Sequence, residues 1–323
     1  MNYKNKLIEF CRKIGIDTIG FTECRIFCEL YNSFKFRRLN SLSNEFEEKD
    51  ENERINPFVY MKEGKTIISV AFPYLFNRNT KDNIGFSLYT RGQDYHKVVF
   101  KYLNKICLFI ESMGGKAVPL VDSNMLPERY IAKLCGIGFL GKNNMLITKR
   151  YGSYVFLGEI ITDLNLGNSE ILQSQCGDCS ICLKACPTGA IRDKKNSNKC
   201  MSYITQKKHI EDEWILKFRG NLFGCDICQN VCPYNRKVLF SNIKEFKPFE
   251  FMEDVNLSEI LSMDNKIFRQ KYAITSCGWR GKNIIIRNAL INSFISGRNI
   301  TIKNIRSPYV QDYYNRLFKL FKL

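Results

Sequence analysis

Histidine is nearly absent from this chain: His96 and His209 are the only two among 323 residues. A conventional three-histidine metal centre is therefore excluded. Long apolar runs are missing as well. None approaches the ~18 residues that a membrane span requires. The first residues, Met1-Asn-Tyr-Lys-Asn-Lys-Leu-Ile-Glu-Phe, interleave charge with apolar side chains where a signal peptide would carry its apolar stretch. A cytoplasmic protein is expected, in a compartment where thiols stay reduced and can bind metal. Acidic residues are in short supply: 32 Asp and Glu face 49 Lys and Arg, leaving a formal charge of +17. That excess points to a polyanion, nucleic acid first, as partner or substrate. A biased Lys- and Asn-rich composition that merely solvates the surface is the plainer explanation.

Cysteine is what the chain has in quantity. Cys176-Gly-Asp-Cys179-Ser-Ile-Cys182-Leu-Lys-Ala-Cys186-Pro187 is a complete C-x2-C-x2-C-x3-C-P. This spacing is the bacterial ferredoxin signature of a [4Fe–4S] cluster, whose fourth cysteine reaches across to a second cluster. A shorter run, Cys225-Asp-Ile-Cys228-Gln-Asn-Val-Cys232-Pro233, lacks one thiolate, and Cys200 is the nearest one upstream. The crossover rule assigns Cys176, Cys179, Cys182 and Cys232 to one cluster. Cys186, Cys200, Cys225 and Cys228 then hold the other. C-x2-C also opens zinc ribbons, but four thiolates within eleven residues, with proline after both terminal cysteines, favour iron–sulfur. Cys11, Cys24, Cys28, Cys107, Cys135 and Cys277 remain outside both sets and should be dispensable for cluster assembly.

Hydrophobic content of 45% and aromatic content of 13% suffice for sizeable cores. Strands alternating with helices over residues 1–165 imply an α/β or α+β domain. Helical spacing of Leu7, Phe10, Cys11 and Ile14 predicts a helix over 1–15. Cys24 and Cys28, four apart, read as one helical face, and the charged stretch from Arg37-Arg38 to Glu51 reads as a solvated connection. Strands are expected at Thr66–Phe72, Phe86–Thr90, Ala117–Val121, Met145–Ile147 and Tyr154–Ile161. Asp94 should cap a helix from Tyr95 to Met113, and Pro127 should open one that stops at Gly136. Residues 166–240 should be loop and short helix folded on metal instead of on a large core. Residues 241–323 read as a helical C-terminal region, clearest at Ile284, Ile285, Asn288, Ala289, Ile291 and Phe294, followed by a basic tail.

Two further constellations carry polar chemistry. Gly136-Ile-Gly-Phe-Leu-Gly141-Lys142-Asn143 could wrap backbone amides around an anion. It is not a Walker A, because Lys142 is not followed by Ser or Thr. Asp122 ends a strand, where a carboxylate can face a pocket; the plain role for such an Asp is a turn or cap. In Tyr89-Thr-Arg91-Gly-Gln-Asp94-Tyr95-His96, the residues Asp94-Tyr-His96 begin a D-x-H-x-x-G cobalamin signature. Val99 stands in place of its glycine, so that signature fails. Taken alone, His96 is a helix first-turn residue.

In order along the chain, six segments resemble the epoxyqueuosine reductases. They are Arg91-Gly-Gln-Asp-Tyr-His96, Val121-Asp-Ser with Glu128-Arg129, Gly136 to Asn143, the first cysteine run, Cys200-Met-Ser-Tyr-Ile-Thr205 and Gly224-Cys-Asp-Ile-Cys228. That family uses cobalamin and two [4Fe–4S] clusters in the last step of queuosine biosynthesis on tRNA, and is related in architecture to reductive dehalogenases. The resemblance covers residues 1–240. It implies a cobalamin and substrate domain over 1–165, a ferredoxin-like double-cubane domain over 166–240, and a truncated HEAT-like region over 241–323, matched at Arg280-Gly-Lys282 and Arg287-Asn-Ala289. It makes Asp122 the general acid, its carboxyl kept protonated by burial beside the corrin. Ser202 and Asp226 fall near cobalamin, with Arg91, His96, Lys142 and Asn143 among its binding residues. Lys207, Lys208 and His209 would form a tRNA-binding rim. A low-potential electron donor of flavodoxin or ferredoxin type, and a monomer, complete the expectation. The competing readings are a reductive-dehalogenase-like enzyme, which would normally carry a twin-arginine signal, a plain ferredoxin-type carrier, which leaves Asp122 unexplained, and a non-catalytic tRNA-binding module, which leaves both clusters idle.

Overall fold

The computed structural model describes residues 3–78, 84–297 and 307–321. Its central sheet contains β1 (Ile19–Glu23), β2 (Thr66–Pro73), β3 (Ala117–Leu120) and β4 (Val155–Thr162), in the spatial order β1-β2-β4-β3 and antiparallel throughout. Every residue of β2 is buried, because its apolar run needs cover on both faces. Ile68, Val70 and Phe72 pack under α1 (Tyr3–Lys13) and α2 (Tyr95–Ser112), whereas Ile67 and Ala71 meet α3 (Glu128–Leu134) on the other face. Asp94 caps α2 as expected, its carboxylate accepting from the His96 amide. The layering is α+β. Its register places the one carboxylate of β4, Glu159, opposite Ser69 on one side and Leu120 on the other.

The alternating stretch Phe86–Thr90 is not a strand. Only Gly85–Phe86 pairs, in parallel with Asn221–Phe223, and Leu88–Thr90 turns into a 3-10 helix. The cause is distant in sequence: Asp226 accepts from the Ser87 hydroxyl and the Leu88 amide, and so fastens the turn. Gly224 permits this approach, since a Cβ there would lie 2.5 Å from Ser87 Cβ. Cys24 and Cys28 share no helical face; one follows β1 and the other opens a 3-10 turn. Nor is the stretch from Arg37 to Glu51 a solvated connection. Arg37 and Arg38 lie in the helix Tyr31–Leu39, and Glu47 accepts from Arg37, Arg54 and the Ser197 hydroxyl. Arg37 also donates to the Lys195 carbonyl, which ties this segment to the cysteine-rich region.

That region holds short helices at Ile181–Ala185, Met201–Ile204 and Ile227–Asn230, as expected. It does share a large core, however. Met201, Ile204, Phe218, Leu222 and Phe223 pack with α4 (Lys282–Ile295) and α5 (Pro308–Leu320). Ile84 and Phe86 join this core from the first half of the chain, and Ile243 and Phe246 join the α/β core from the second. Helix α4 is buried on all sides from Ile284 to Ser293, including Arg287 at 0% exposure. The Arg287 guanidinium donates to the carbonyls of Thr205, Lys207 and Lys208, to Asn288 and to the Tyr309 hydroxyl. Of the basic tail expected after this helix, residues 298–306, 322 and 323 lie outside the described residues, and most of the rest is α5.

Candidate active site and cluster centres

The eight thiols of the two runs fall into two neighbourhoods. Cys176, Cys179, Cys182 and Cys232 line one cavity of about 160 Å³, together with Lys142, Asn143, Ile147, Gln175 and Tyr234. The thiols of Cys182 and Cys232 are pushed up first by burial and then by the charges of their companions. Cys200, Cys225 and Cys228 are electrostatic neighbours of one another and of Cys186. Burial pushes Cys225 up to about 12 and Cys228 higher still. Among the described residues no three His, Cys, Asp or Glu side chains converge on a single-ion site. The first four thiols stand around a space, which is the arrangement a cubane requires. All fourteen cysteines are free thiols; of the six outside the two sets, only Cys28 is exposed.

The glycine-rich loop is built around the first neighbourhood. Its paired strands Phe139–Leu140 and Leu146–Ile147 set Phe139 and Ile147 against Cys232 and Cys176. The Lys142 amide donates to Cys176 Sγ at 3.4 Å, and its ammonium donates to the Gly177 carbonyl at 2.6 Å. Asn143 donates to the Cys228 carbonyl and accepts from the Met145 amide. The loop thus addresses a cysteine sulfur, and both Lys142 and Asn143 reach the cysteine-rich segments. Gly136 is needed at φ +69°, because a Cβ there would sit 2.1 Å from the Glu170 carbonyl oxygen.

The second neighbourhood backs onto Asp122. Just past Cys200, Ser202 lies near the Tyr89 phenol, and Tyr89 lies within electrostatic reach of Asp226 and Asp122. Tyr95 also stands beside Asp122. On the far side, His96 bridges two carboxylates: Nε2 is 3.0 Å from Asp122 Oδ2, and Nδ1 is 2.8 Å from Asp94 Oδ1. Burial disfavours the imidazolium, but the hydrogen bonds to Asp122 and Asp94 outweigh it and carry the His96 pKa up to about 9. Asp122 moves the other way. Burial would raise its pKa, yet the hydrogen bonds from His96 and Tyr95, with the His96 and Arg129 charges, hold it below the usual carboxylate value. Its side chain is 53% exposed. In this arrangement the hydrogen bond favours the proton on His96, with Asp122 as its anionic partner.

Asp122 adopts φ +45°, a left-handed conformation that an Asp tolerates better than most residues. It is held there by Glu128, whose Oε1 accepts from the Asp122 amide at 2.6 Å and from the Asn124 side chain at 2.7 Å. Two other expected cofactor residues are occupied elsewhere. Arg91 is 3% exposed and donates to the Phe86 carbonyl, and Asp226 fastens the 3-10 turn. At the expected rim, Lys208 and His209 are exposed, but the Lys207 ammonium pairs with Glu211 at 2.6 Å. Sequence reasoning passed over Tyr89, Tyr95 and Glu159. The last did leave a signal, as the single carboxylate inside the apolar strand Val155–Thr162.

Two four-thiol neighbourhoods in a fold that also holds an acid–imidazole pair fit the class of double [4Fe–4S] enzymes. Comparison with known proteins makes the class specific. A 4Fe–4S double cluster binding domain model matches residues 175–235, and an epoxyqueuosine reductase QueG model matches residues 54–123. The chain is 35% identical over 301 residues to the epoxyqueuosine reductase of Bacillus anthracis, covering 89% of this chain and 79% of the relative. It is 34% identical over 301 residues to that of Bacillus subtilis, covering 89% and 78%. A crystal structure of epoxyqueuosine reductase with a tRNA-Tyr epoxyqueuosine-modified stem loop superposes with a TM-score of 0.92 at 30% identity, over 98% of this chain and 90% of that one. The enzyme from Streptococcus thermophilus superposes at 0.86 and 29% identity over the full length of both chains. The chain belongs to the epoxyqueuosine reductase family.

Proposed function

We propose that this chain reduces epoxyqueuosine to queuosine in the anticodon loop of tRNA, using cobalamin and two [4Fe–4S] clusters. The observation that carries the reading is the His96–Asp122 pair, a proton source on the side of Ser202 and Tyr89 opposite the second thiol set. The reaction takes two electrons and two protons: both C–O bonds of the epoxide break, the alkene forms, and oxygen leaves as water. When bound, the clusters deliver single electrons at low potential, and cobalamin supplies a metal centre that collects them and engages carbon. Cobalamin would lie beside Ser202, Tyr89 and Tyr95, polar side chains that link the Cys200 segment to Asp122.

Asp122 is the general acid. A proton crossing the 3.0 Å hydrogen bond from His96 Nε2 gives the neutral carboxyl, which then protonates the opening epoxide oxygen; the half-exposed Asp122, recharged from solvent, delivers the second proton that lets the oxygen leave as water. Asp94 keeps Nδ1 of the imidazole engaged, so that Nε2 points at Asp122. Cys176, Cys179, Cys182 and Cys232 ligate one cluster; Cys186, Cys200, Cys225 and Cys228 ligate the other. Lys208 and His209 contribute to the tRNA rim, with Lys207 a lesser member. The nucleoside is splayed from its loop to reach the site, as enzymes acting on bases generally require. A cytoplasmic monomer served by a flavodoxin- or ferredoxin-type donor completes the reading; no helix among the described residues is long and apolar enough to cross a membrane. The test is anaerobic reconstitution with iron, sulfide and cobalamin, followed by incubation with an epoxyqueuosine stem loop and chemical reductant. Queuosine should appear only when all three are supplied. Conversion without cobalamin would overturn the mechanism, and no conversion would overturn the function.

A further inference from the structure

Beneath the Asp122 loop two carboxyl groups meet. Glu159 is 1% exposed in the middle of β4, and the register places it next to Ser69 and Leu120, two residues before Asp122. Ser69 donates to Glu159 Oε1 at 3.1 Å, while Oε2 is buried with no donor of its own. The Glu128 carboxyl stands in hydrogen-bonding contact with Glu159. Two ionised carboxylates cannot share such a place; like charges in contact retain one proton between them. The position of that proton follows from the other bonds. Glu128 already accepts from the Asp122 amide and the Asn124 side chain, so it is the better carboxylate, and Glu159 is the partner with an unsatisfied oxygen.

We propose that Glu159 holds a proton and donates it to Glu128, and that this shared proton latches the Asp122 loop in its working position. Glu159 and Glu128 are positioning residues. With the proton present, Glu128 is an anion that accepts three hydrogen bonds, two of them from the loop that carries Asp122. Without it, two carboxylates repel and Glu128 is driven from the loop. The charged and titratable groups facing the pair are Asp122 and Arg129 beside Glu128, Tyr95 from α2, and Cys135 at the end of α3 beside Glu159. Arg129 is the one cation among them. Burial, then the neighbouring carboxylate charges, raise both glutamates: Glu128 to about 7, and Glu159 well above the usual carboxylate range. A raised carboxyl favours the fold while protonated, so the latch weakens as pH rises through the titration of the pair.

The test uses reconstituted holoprotein and two readouts that need no substrate, so its failure is separable from failure of the proposed activity. Infrared spectra at neutral pH should show the carbonyl band of a buried protonated carboxyl, lost in Glu159→Gln. Peptide-resolved hydrogen exchange over residues 121–124, corrected for intrinsic rates, should show a protected Asp122 amide in wild type and in Glu159→Gln, whose side-chain amide can donate in place of the acid. Protection should drop by roughly tenfold or more in Glu159→Leu, which leaves Glu128 without that donor. Wild type alone should lose protection as pH rises through the pair. His96 and Asp94 titrate in both proteins, so the difference between wild type and Glu159→Gln isolates the latch. Absence of the carboxyl band in wild type, or pH profiles that coincide in wild type and Glu159→Gln, would overturn the proposal.

Discussion

The two thiol sets are built from similar C-x2-C turns yet differ in their surroundings. The first is carried by a run, residues 171–178, that is exposed apart from the half-buried Cys176, and its cavity is bordered by the exposed ring of Tyr234. The second is flanked by the buried residues Met201, Phe223 and Gly224, with Ser202 and Tyr89 on the side of Asp122. The contrast teaches that ligand spacing specifies which thiols gather but not which centre serves which task. If the proposed function holds, position should assign the tasks, with the outer set receiving electrons and the inner one passing them toward the acid–imidazole pair.

The sharpest way to break this comparison is to remove one ligand from each set. Cys200→Ala should leave one cluster by electron paramagnetic resonance and abolish conversion under every condition. Cys179→Ala should also leave one cluster, but chemically reduced enzyme should still complete a single turnover while turnover with a protein donor collapses. Equal loss in both assays would erase the distinction between outer and inner. Next in size is Asp122→Asn, which keeps the shape of the side chain but cannot deliver a proton. Both clusters and tRNA binding should persist, with a single-turnover rate about 10²- to 10⁴-fold lower. Unchanged turnover would remove Asp122 from the chemistry.

A smaller effect comes from pH. The His96 pKa is raised, so what the imidazolium contributes is fully present below its unfolded value of about 6.5 and is lost as pH rises through about 9. The single-turnover rate should fall over that upper interval, and His96→Gln should be slow with that limb flattened. An alkaline limb that survives in His96→Gln would place the proton source elsewhere. The smallest expected effect is at the rim. Lysine contacts to phosphate steepen the salt dependence of binding by about 0.7 for each single-strand contact. Lys207 already pairs with Glu211, so Lys207→Ala with Lys208→Ala should lower the slope by about one contact and no more. An unchanged slope would move the footprint onto other basic surface.

What was legible in the sequence was local. The cysteine spacing, the Asp94 cap and the apolar run at Thr66 each carry their meaning within a few residues, and all appear as read. What escaped depends on partners far along the chain. Phe86–Thr90 alternates like a strand, but a carboxylate at position 226 bends it into a turn. Glycines and Lys142 announce a group held by backbone amides, and only the fold shows the Lys142 amide meeting the sulfur of Cys176. Charged residues from Arg37 to Glu51 look solvated until Ser197 and Lys195 arrive to take their hydrogen bonds. Asp122 stands out at a strand end, but its pairing with His96 does not, because the histidine lies on a helix 26 residues earlier.

Arg287 couples distant parts of the chain. Its buried guanidinium, with no carboxylate among its hydrogen-bond partners, is neutralised by the carbonyl dipoles of Thr205, Lys207 and Lys208, which follow Cys200 directly. Helix α4 and the Cys200 segment consequently form a single cooperative unit, and metal uptake is thermodynamically linked to the docking of a helix some eighty residues away. Iron chelation should therefore expose α4 to protease, and loosening α4 should raise the rate at which the inner cluster is lost. The C-terminal helices act as a lock on cofactor retention, so the lifetime of the inner cluster is a property of the whole chain.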